Sequence, residues 1–377
     1  MVKTTICKFY LLVLGCMSVL VSFQAAQAQS YGRTELVAAI SRNMPAGVAV
    51  SQSGEVFLSF PRWGDVVPIA VGRLASSGEI IPFPNAEMNR YDPANPAGWH
   101  STLGMKFDTQ DNLWVLDNAR VEFQTAAQGA IKLVAYHAQT GQLAHSFTFP
   151  EKIANPDTAF LNDLVLDEQR KFIYISDMSA GGQSALIVYD IAAQKAWRAL
   201  DGHRSVMPEK VTVFVEREAI GINAGIDGIA LDAKEDFVYW KALSGRTLYR
   251  IGARYLRDSQ LPDAERQQKI EVVADTPIAD GLLIDGAGNF FLTDLEHSAV
   301  IQRRRDGRLS VVSADERIIW PDSLATRGDG WLYVVSNQIN RMKLFQQGKD
   351  KRKPPYALLR IWIGDEKPVP PPAAHLR

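Results

Sequence analysis

Thiols are nearly absent from this sequence: its 377 residues include two cysteines, Cys7 and Cys16. Both fall in an amino-terminal stretch that reads as an export signal. Lys3 and Lys8 supply positive charge, Phe9 to Phe23 form a short apolar core, and Ala26-Gln27-Ala28 is an A-x-A cleavage site. Cleavage after Ala28 leaves a mature chain (residues 29 onward) with no thiol, which excludes disulfides, cysteine nucleophiles and Cys-ligated zinc. The alternative is a lipoprotein box, Val13-Leu14-Gly15-Cys16, with Cys16 lipidated. Against it, Met17 to Phe23 stays apolar where such a box turns polar. The expected location is secreted or periplasmic.

An excess of either charge is also missing. With 41 Lys and Arg against 42 Asp and Glu, the net charge is −1, which offers no field for nucleic acid or for an acidic membrane. The one dense basic run before the tail, Arg303-Arg304-Arg305, reads as a solvated strand edge. The apolar core of the signal is too short to span a bilayer comfortably, and no transmembrane segment is expected in the mature chain. GxSxG, HExxH, GxxxxGK[ST] and GxGxxG are all absent, so serine-nucleophile chemistry and phosphate cradling find no support. Helical periodicity is missing too, apart from a short possibility at Asp258 to Lys269.

What the chain has instead is a repeat. GVAVSQSGEVFLSF from Gly47, GMKFDTQDNLWVLDN from Gly104, DLVLDEQRKFIYISD from Asp163, GIALDAKEDFVYWKA from Gly228, GLLIDGAGNFFLTDL from Gly281 and SLATRGDGWLYVVSN from Ser323 follow one design. Each is an apolar strand, a tight polar turn and a second apolar strand, and the starts lie 57, 59, 65, 53 and 42 residues apart. In the fifth copy Leu282-Leu283-Ile284 reads as a strand buried on both faces. Asp285 to Asn289 is a turn in which glycines supply positive φ, and Phe290-Phe291-Leu292 returns. Val300 to Gln302 and Leu309 to Val312 add two more strands. Four strands at this period make one propeller blade. The expected fold is therefore all-β, a six-bladed β-propeller with four-stranded antiparallel blades over residues 29–364. Tyr356 to Ile363 should be a strand packed on a blade, and 365–377 a disordered tail.

A propeller gathers the starts of its innermost strands on one rim of the central channel. Here those positions are Ala46, Leu103, Asn162, Asp227, Asp280 and Asp322. Converging hard oxygens from Asn162, Asp227, Asp280 and Asp322 would suit one divalent cation, Ca²⁺ foremost. The plainer account is that each bonds to local backbone N–H groups and stabilises a turn. A second set, Asp117, Asp177, Asp294 and Asn337, ends the second strands and is expected to bond from blade to blade. Glu296 and His297 could form an acid/base pair. His100 beside Trp99 could line a pocket mouth, and Trp240 and Trp320 could wall a pocket, although each also suits ordinary packing.

The wording of LNDLVLDEQRKFIYISD, ALIVYD, KAWR, GIDGIALDAKEDFVYWKALSGRTLYRI, DGLLIDGAGNFFLTDLE, WPDSLATRGDGWLYVVSNQ and PPYALLRIWIG, in that order, resembles the yellow and major royal jelly protein family. The resemblance extends to bacterial members described as dopachrome-tautomerase-related. It implies a secreted propeller with a small-molecule pocket at one end of the channel. The family's fold relatives are gluconolactonase- and regucalcin-type lactonases. Their metal is held by a Glu at the first strand start and by Asn and Asp at two later ones. Asp227 and Asp280 match the later positions, and Asn162 a substrate-contacting one. Ala46 stands where the Glu belongs, with Asp322 or Asn43 as the possible compensation. The implied function is binding or conversion of a small oxygenated ring compound: tautomerisation with Asp227 or Asp280 as base, lactone hydrolysis, or capture without chemistry. His100, His297, Trp240 and Trp320 join Asn162 as its expected contacts.

Overall fold

The computed structural model describes residues 32–364. The expected signal peptide with both cysteines, and the expected tail from 365, lie outside the described residues. Six four-stranded antiparallel sheets follow one another around a central channel. The innermost strands are Val48–Val50, Thr102–Phe107, Leu161–Asp167, Ile226–Leu231, Ala279–Ile284 and Pro321–Thr326. In blade three the second to fourth strands are Phe172–Asp177, Ala185–Asp190 and Lys195–Ala199, and in blade five Phe290–Asp294, Ala299–Arg303 and Leu309–Ser313.

The ring closes through its sixth blade. That sheet runs from Pro321–Thr326 through Trp331–Ser336 to Tyr356–Trp362, and its outermost strand is Thr34–Ile40 from the other end of the chain. The closing pair registers Thr34 with Ile361 and Ile40 with Tyr356. Its exposed side carries an ion pair from Arg360 to Glu35 at 2.6 Å, with the Arg360 guanidinium 4.2 Å from the Trp331 ring centre. Tyr356–Trp362 is thus an integral third strand, not an extra one laid on a blade. The short helices Ala253–Arg257 and Asp263–Gln267 replace the single helix expected around Asp258. Arg303 ends a strand, while Arg304 and Arg305 sit in the following turn.

Apolar side chains fill the spaces between blades. Separate buried clusters occupy successive interfaces: Phe57, Trp99 and Leu113 between blades one and two, Leu116, Ile175 and Tyr189 between two and three, Tyr174, Trp240 and Ile251 between three and four. Burying a Leu, Ile or Phe side chain in this way contributes about 1.5–3 kcal/mol. At the channel the blades meet backbone to backbone. A Cβ on Gly104 would lie 2.5 Å from the Asn162 carbonyl oxygen, and one on Gly281 2.2 Å from that of Asp322. Glycine follows the strand start in these copies because the next blade's backbone fills the space.

We expect Gly281→Ala to cost about 1–3 kcal/mol, the usual penalty of overpacking. Gly221→Ala, where a new Cβ meets nothing within 4 Å, should be near neutral. Urea denaturation of the two variants checks this, and equal midpoints would refute the close-approach account.

Candidate functional site

In blades two to six the pairing of the innermost strand with its neighbour slips at the strand start: between Thr102 and Met105, Leu161 and Leu164, Ile226 and Ile229, Ala279 and Leu282, Pro321 and Leu324. A bulge interrupts the strict alternation of side chains and re-aims them. The freed N–H groups find hydroxyls on the second strand: Asp163 N–H donates to Ser176 Oγ at 3.0 Å and Gly281 N–H to Thr293 Oγ1 at 2.7 Å. The result is one cavity of about 80 Å³ at the channel mouth, lined by all six strand-start residues, Ala46, Leu103, Asn162, Asp227, Asp280 and Asp322.

Asp163 lines the floor as well. Aromatic and aliphatic walls rise from the loops joining second to third strands: Trp63, Phe123, Met178, Leu243, Ile339 and Phe345. Phe160 and Trp320, just ahead of their innermost strands, complete them. Trp63 stacks on Phe123 with centroids 5.4 Å apart, and Trp320 on Phe345 at 6.4 Å. A hairpin of Val213–Val215 and Glu218–Ile220, within the unrepeated stretch before blade four, packs Val213, Val215 and Ile220 into the same apolar cluster. Its turn residues Glu216 and Arg217 have φ of 51° and 66°. Arg341 and Asn340 hold the Glu216 carboxylate, at 2.5 Å and 2.8 Å.

Three of the strand-start carboxyls are each engaged once. Asn162 Nδ2 donates to Asp227 Oδ1 at 2.5 Å, Trp320 Nε1 to Asp280 Oδ2 at 2.6 Å, and Asn337 Nδ2 to Asp322 Oδ2 at 2.5 Å. Among the described residues Asp227 Oδ2 is buried with no partner, as is Trp63 Nε1 on the wall. Burial, then the charges of Asp280 and Asp163, hold the Asp227 carboxyl well above the usual carboxylate range. Burial and the neighbouring acids do the same to Asp322. Asp280 is pushed up to about 7, chiefly by burial, against the opposing Trp320 hydrogen bond. Behind them Lys241, fully buried, donates to the carbonyls of Ala242, Gly245 and Ala279. Burial pulls its ammonium down to about 8, while Asp227, Glu209 and Asp280 favour its charge.

Asn162, Asp227, Asp280, Asp322 and Trp320 therefore meet as expected, and the other candidates do not line this cavity. His100 is buried in blade two, its Nε2 3.0 Å from the Asn95 carbonyl and its ring edge-on to Tyr91. Trp240 packs between blades and donates to Ser205 O. The His297 side chain is 74% exposed beside Asp294, and Glu296 is taken by Arg246 at 2.7 Å, so those two form no acid/base pair. Asn43 donates to Val66 O. Among the described residues no three His, Cys, Asp or Glu side chains gather as a metal-holding group. Toward the expected divalent cation Ala46 offers no side-chain oxygen, and one oxygen of each of Asp227, Asp280 and Asp322 is already taken by an N–H donor.

The second set bonds within blades, not between them. Asp117 accepts from the N–H groups of His100 and Ser101 and pairs with Lys132 at 2.9 Å, all in blade two. Asp177 accepts from Phe160 N–H and pairs with Arg198 at 2.6 Å in blade three. The end of each second strand is pinned to the segment entering its own first strand because the two are hydrogen-bonded neighbours. Asp163 and Lys241 escaped the sequence reading. Both break the repeat: Asp163 stands where Gly104, Gly228 and Gly281 stand, and Lys241 where Ser176, Thr293 and Ser336 stand.

Fold and cavity define the class: a six-bladed β-propeller with an acid-floored, aromatic-walled cavity at one channel mouth. The chain belongs to the major royal jelly protein family, whose sequence profile, "Major royal jelly protein", matches residues 100–360. Major royal jelly protein 7 of Apis mellifera is 26% identical over 189 residues, 48% of this chain and 41% of that protein. Yellow-related salivary protein LJM17 of Lutzomyia longipalpis is 24% identical over 238 residues, 57% of each chain. The matches thus span about half the length of these relatives. Among solved structures, a gluconolactonase from Xanthomonas campestris superposes with a TM-score of 0.55 at 13% identity over 88% of this chain and 90% of its own. A luciferin-regenerating enzyme gives 0.53 at 10% identity over 89% and 97%. At such identities the likeness shows the fold alone.

The raised carboxyls have a stability consequence. Asp280 in the native protein keeps its proton up to about pH 7, whereas the unfolded chain releases it near pH 4. The native state binds more protons in that window, so this group's contribution to stability falls as pH rises from about 4 to 7 and is level above. Asp280→Asn should match the wild type at pH 4 and melt on the order of 2–5 °C higher at pH 8. Melting curves at both values check this, and a lower melting temperature at pH 8 would refute it.

Proposed function

We propose that this propeller binds a single-ring oxygenated compound at the acid-floored mouth and shifts a proton on it, as a tautomerase of the dopachrome-converting kind does. The observation that supports the reading most is the pair Asp227 and Asp280, buried in one apolar-walled cavity, with Asp227 Oδ2 lacking a partner among the described residues. A carboxyl without a partner in such a place costs stability, and a ligand donor or acceptor removes that cost. The cavity, about 80 Å³, is smaller than the roughly 150 Å³ that encloses a benzene ring. A ring therefore enters with its polar edge against the acids and its body between Trp63, Phe160 and Trp320.

Proton transfer follows from the two environments. A group with a pKa near 7 is half ionised at neutral pH and suits a general base, which assigns that part to Asp280, its other oxygen held by Trp320 Nε1. Asp227, its carboxyl held well above the usual carboxylate range by burial and like charge, suits the acid. Asp280 takes a carbon-bound proton from the ring, and Asp227 gives one to a ring oxygen. A proton passing from Asp280 to Asp227 restores both carboxyls. Lys241, behind the floor, tempers the charge that appears on Asp227. The divergent environments of neighbouring carboxyls mark the acid and base roles. Lactone hydrolysis with a metal-activated water, the other reading of the fold, is less favoured because Ala46 stands where that group holds its metal with a Glu. A secreted or periplasmic location belongs to this proposal.

Turnover of a dopachrome-like quinone should rise with pH through an ionisation near 7 and fall again where Asp227 loses its proton. Asp227→Asn and Asp280→Asn should each lower kcat by at least about a hundredfold while the fold is kept. Stopped-flow absorbance across pH 5 to 9 checks this. Binding of quinones or phenols without turnover would reduce the function to capture, and no binding would sink the assignment. Thermal unfolding with EDTA, Ca²⁺, Mg²⁺ or Zn²⁺ should leave the melting temperature unmoved. A native-state ligand must raise it, so a clear rise with one cation would restore the metal reading.

A further inference from the structure

The channel has a second mouth, where the innermost strands end. A cavity of about 270 Å³ lies there, walled by Phe107, Val165, Ile229, Leu231, Leu282 and Ile284, with Lys106 in its lining. Lys106 is part-buried, on the innermost strand of blade two, two residues beyond Gly104. Alternate residues of a strand share a face and lie ~7 Å apart, so Lys106 belongs to the same channel-lining row as Gly104. Among the described residues no hydrogen-bond or ion-pair partner lies within reach of its amine. Asp163 is the carboxylate whose charge acts on it; the Asp163 Oδ1 lies 3.0 Å from the place a Cβ on Gly104 would take. An amine in an apolar channel that makes no hydrogen bond, and whose one compensating carboxylate stands beyond ion-pair distance, is costly and needs an explanation. Lys241 shows the contrast, since its amine is spent on three backbone carbonyls.

We propose that the Lys106 amine is a covalent carbonyl-binding site, forming an imine with a small, uncharged, apolar-bodied aldehyde that enters from this second mouth. The cavity exceeds the roughly 150 Å³ that holds a benzene ring. Its rim carries Glu168, Asp232 and Glu235, which repel anions and let a neutral compound pass. Each rim carboxylate is already engaged: Glu168 by the Thr109 hydroxyl, Asp232 by Asp236 N–H and Glu235 by Arg170. None is free to neutralise the amine. Burial lowers the affinity of Lys106 for its proton, with Asp163 opposing, and a neutral amine is the nucleophile. In the step, the nitrogen lone pair bonds to the carbonyl carbon. The oxygen gains two protons, both supplied in net by the amine nitrogen as it passes through the carbinolamine, and leaves as water, giving a neutral C=N with no net oxidation or reduction.

The test is reductive trapping of the full chain with benzaldehyde and cyanoborohydride at pH 7, followed by peptide mass mapping. Lys106 should be labelled at least tenfold faster than the average exposed lysine, and Lys241 not at all. Folded Lys106→Met should lose that fast adduct and no other. Ala230→Leu, which fills the cavity wall and leaves Lys106 in place, should slow labelling of Lys106 severalfold. Labelling confined to exposed lysines, or a Lys106 rate untouched by Ala230→Leu, would overturn the proposal.

Discussion

The pairing of Thr34–Ile40 with Tyr356–Trp362 is the interaction on which the remaining structure depends. Five blades are built from consecutive strands and need nothing from elsewhere. The sixth takes its outer strand from the opposite end of the chain, and that strand turns an open row of sheets into a ring. Without it Tyr356–Trp362 would present an unpaired edge, a template for association with other chains. The six strand starts share one mouth only when the row is closed. Acid floor, aromatic wall and second mouth are all properties of closure.

Within the ring, the acids of the floor oppose the fold. Asp163, Asp227, Asp280 and Asp322 crowd a place with little water, and their mutual repulsion raises the affinity of three of them for protons beyond what burial alone would do. Lys241 and the N–H groups of Asn162, Trp320 and Asn337 restrain this without abolishing it. Departures from local stability of this kind mark places kept for chemistry. The second set of acids shows the opposite economy: Asp117 and Asp177 are fully paired with Lys132, Arg198 and backbone N–H groups, and they serve the blade alone.

The architecture was legible because its signal is local: an apolar strand, a turn and a second strand, six times over. Four of the strand-start residues were legible for the same reason, since position in a repeat predicts position on the rim. The outer strand of the sixth blade was not, because TELVAAI at Thr34–Ile40 has its partner more than 300 residues away and no repeat to announce it. The Glu216–Arg217 hairpin was hidden for a similar reason. Its turn carries no glycine, and Arg341 and Asn340 hold it in place from another blade. Bulges are invisible in composition, so the entry of both Asn162 and Asp163 into one cavity could not be foreseen from strict alternation. His100, His297 and Trp240 were drawn in by residue type, and burial, exposure and packing respectively account for them without the cavity.

The closing strand also gives the cavity a history. Every wall residue can be synthesised, and every blade but the last can form, while no cavity yet exists. Until the final strand docks beside Thr34–Ile40, the acids stand at the edge of an unclosed row, open to water and in their ordinary ionisation. A chain still emerging from the ribosome therefore carries the complete set of site residues in a silent state. The raised proton affinity of these acids arises only with the last seam, which makes it a check on the integrity of the whole molecule.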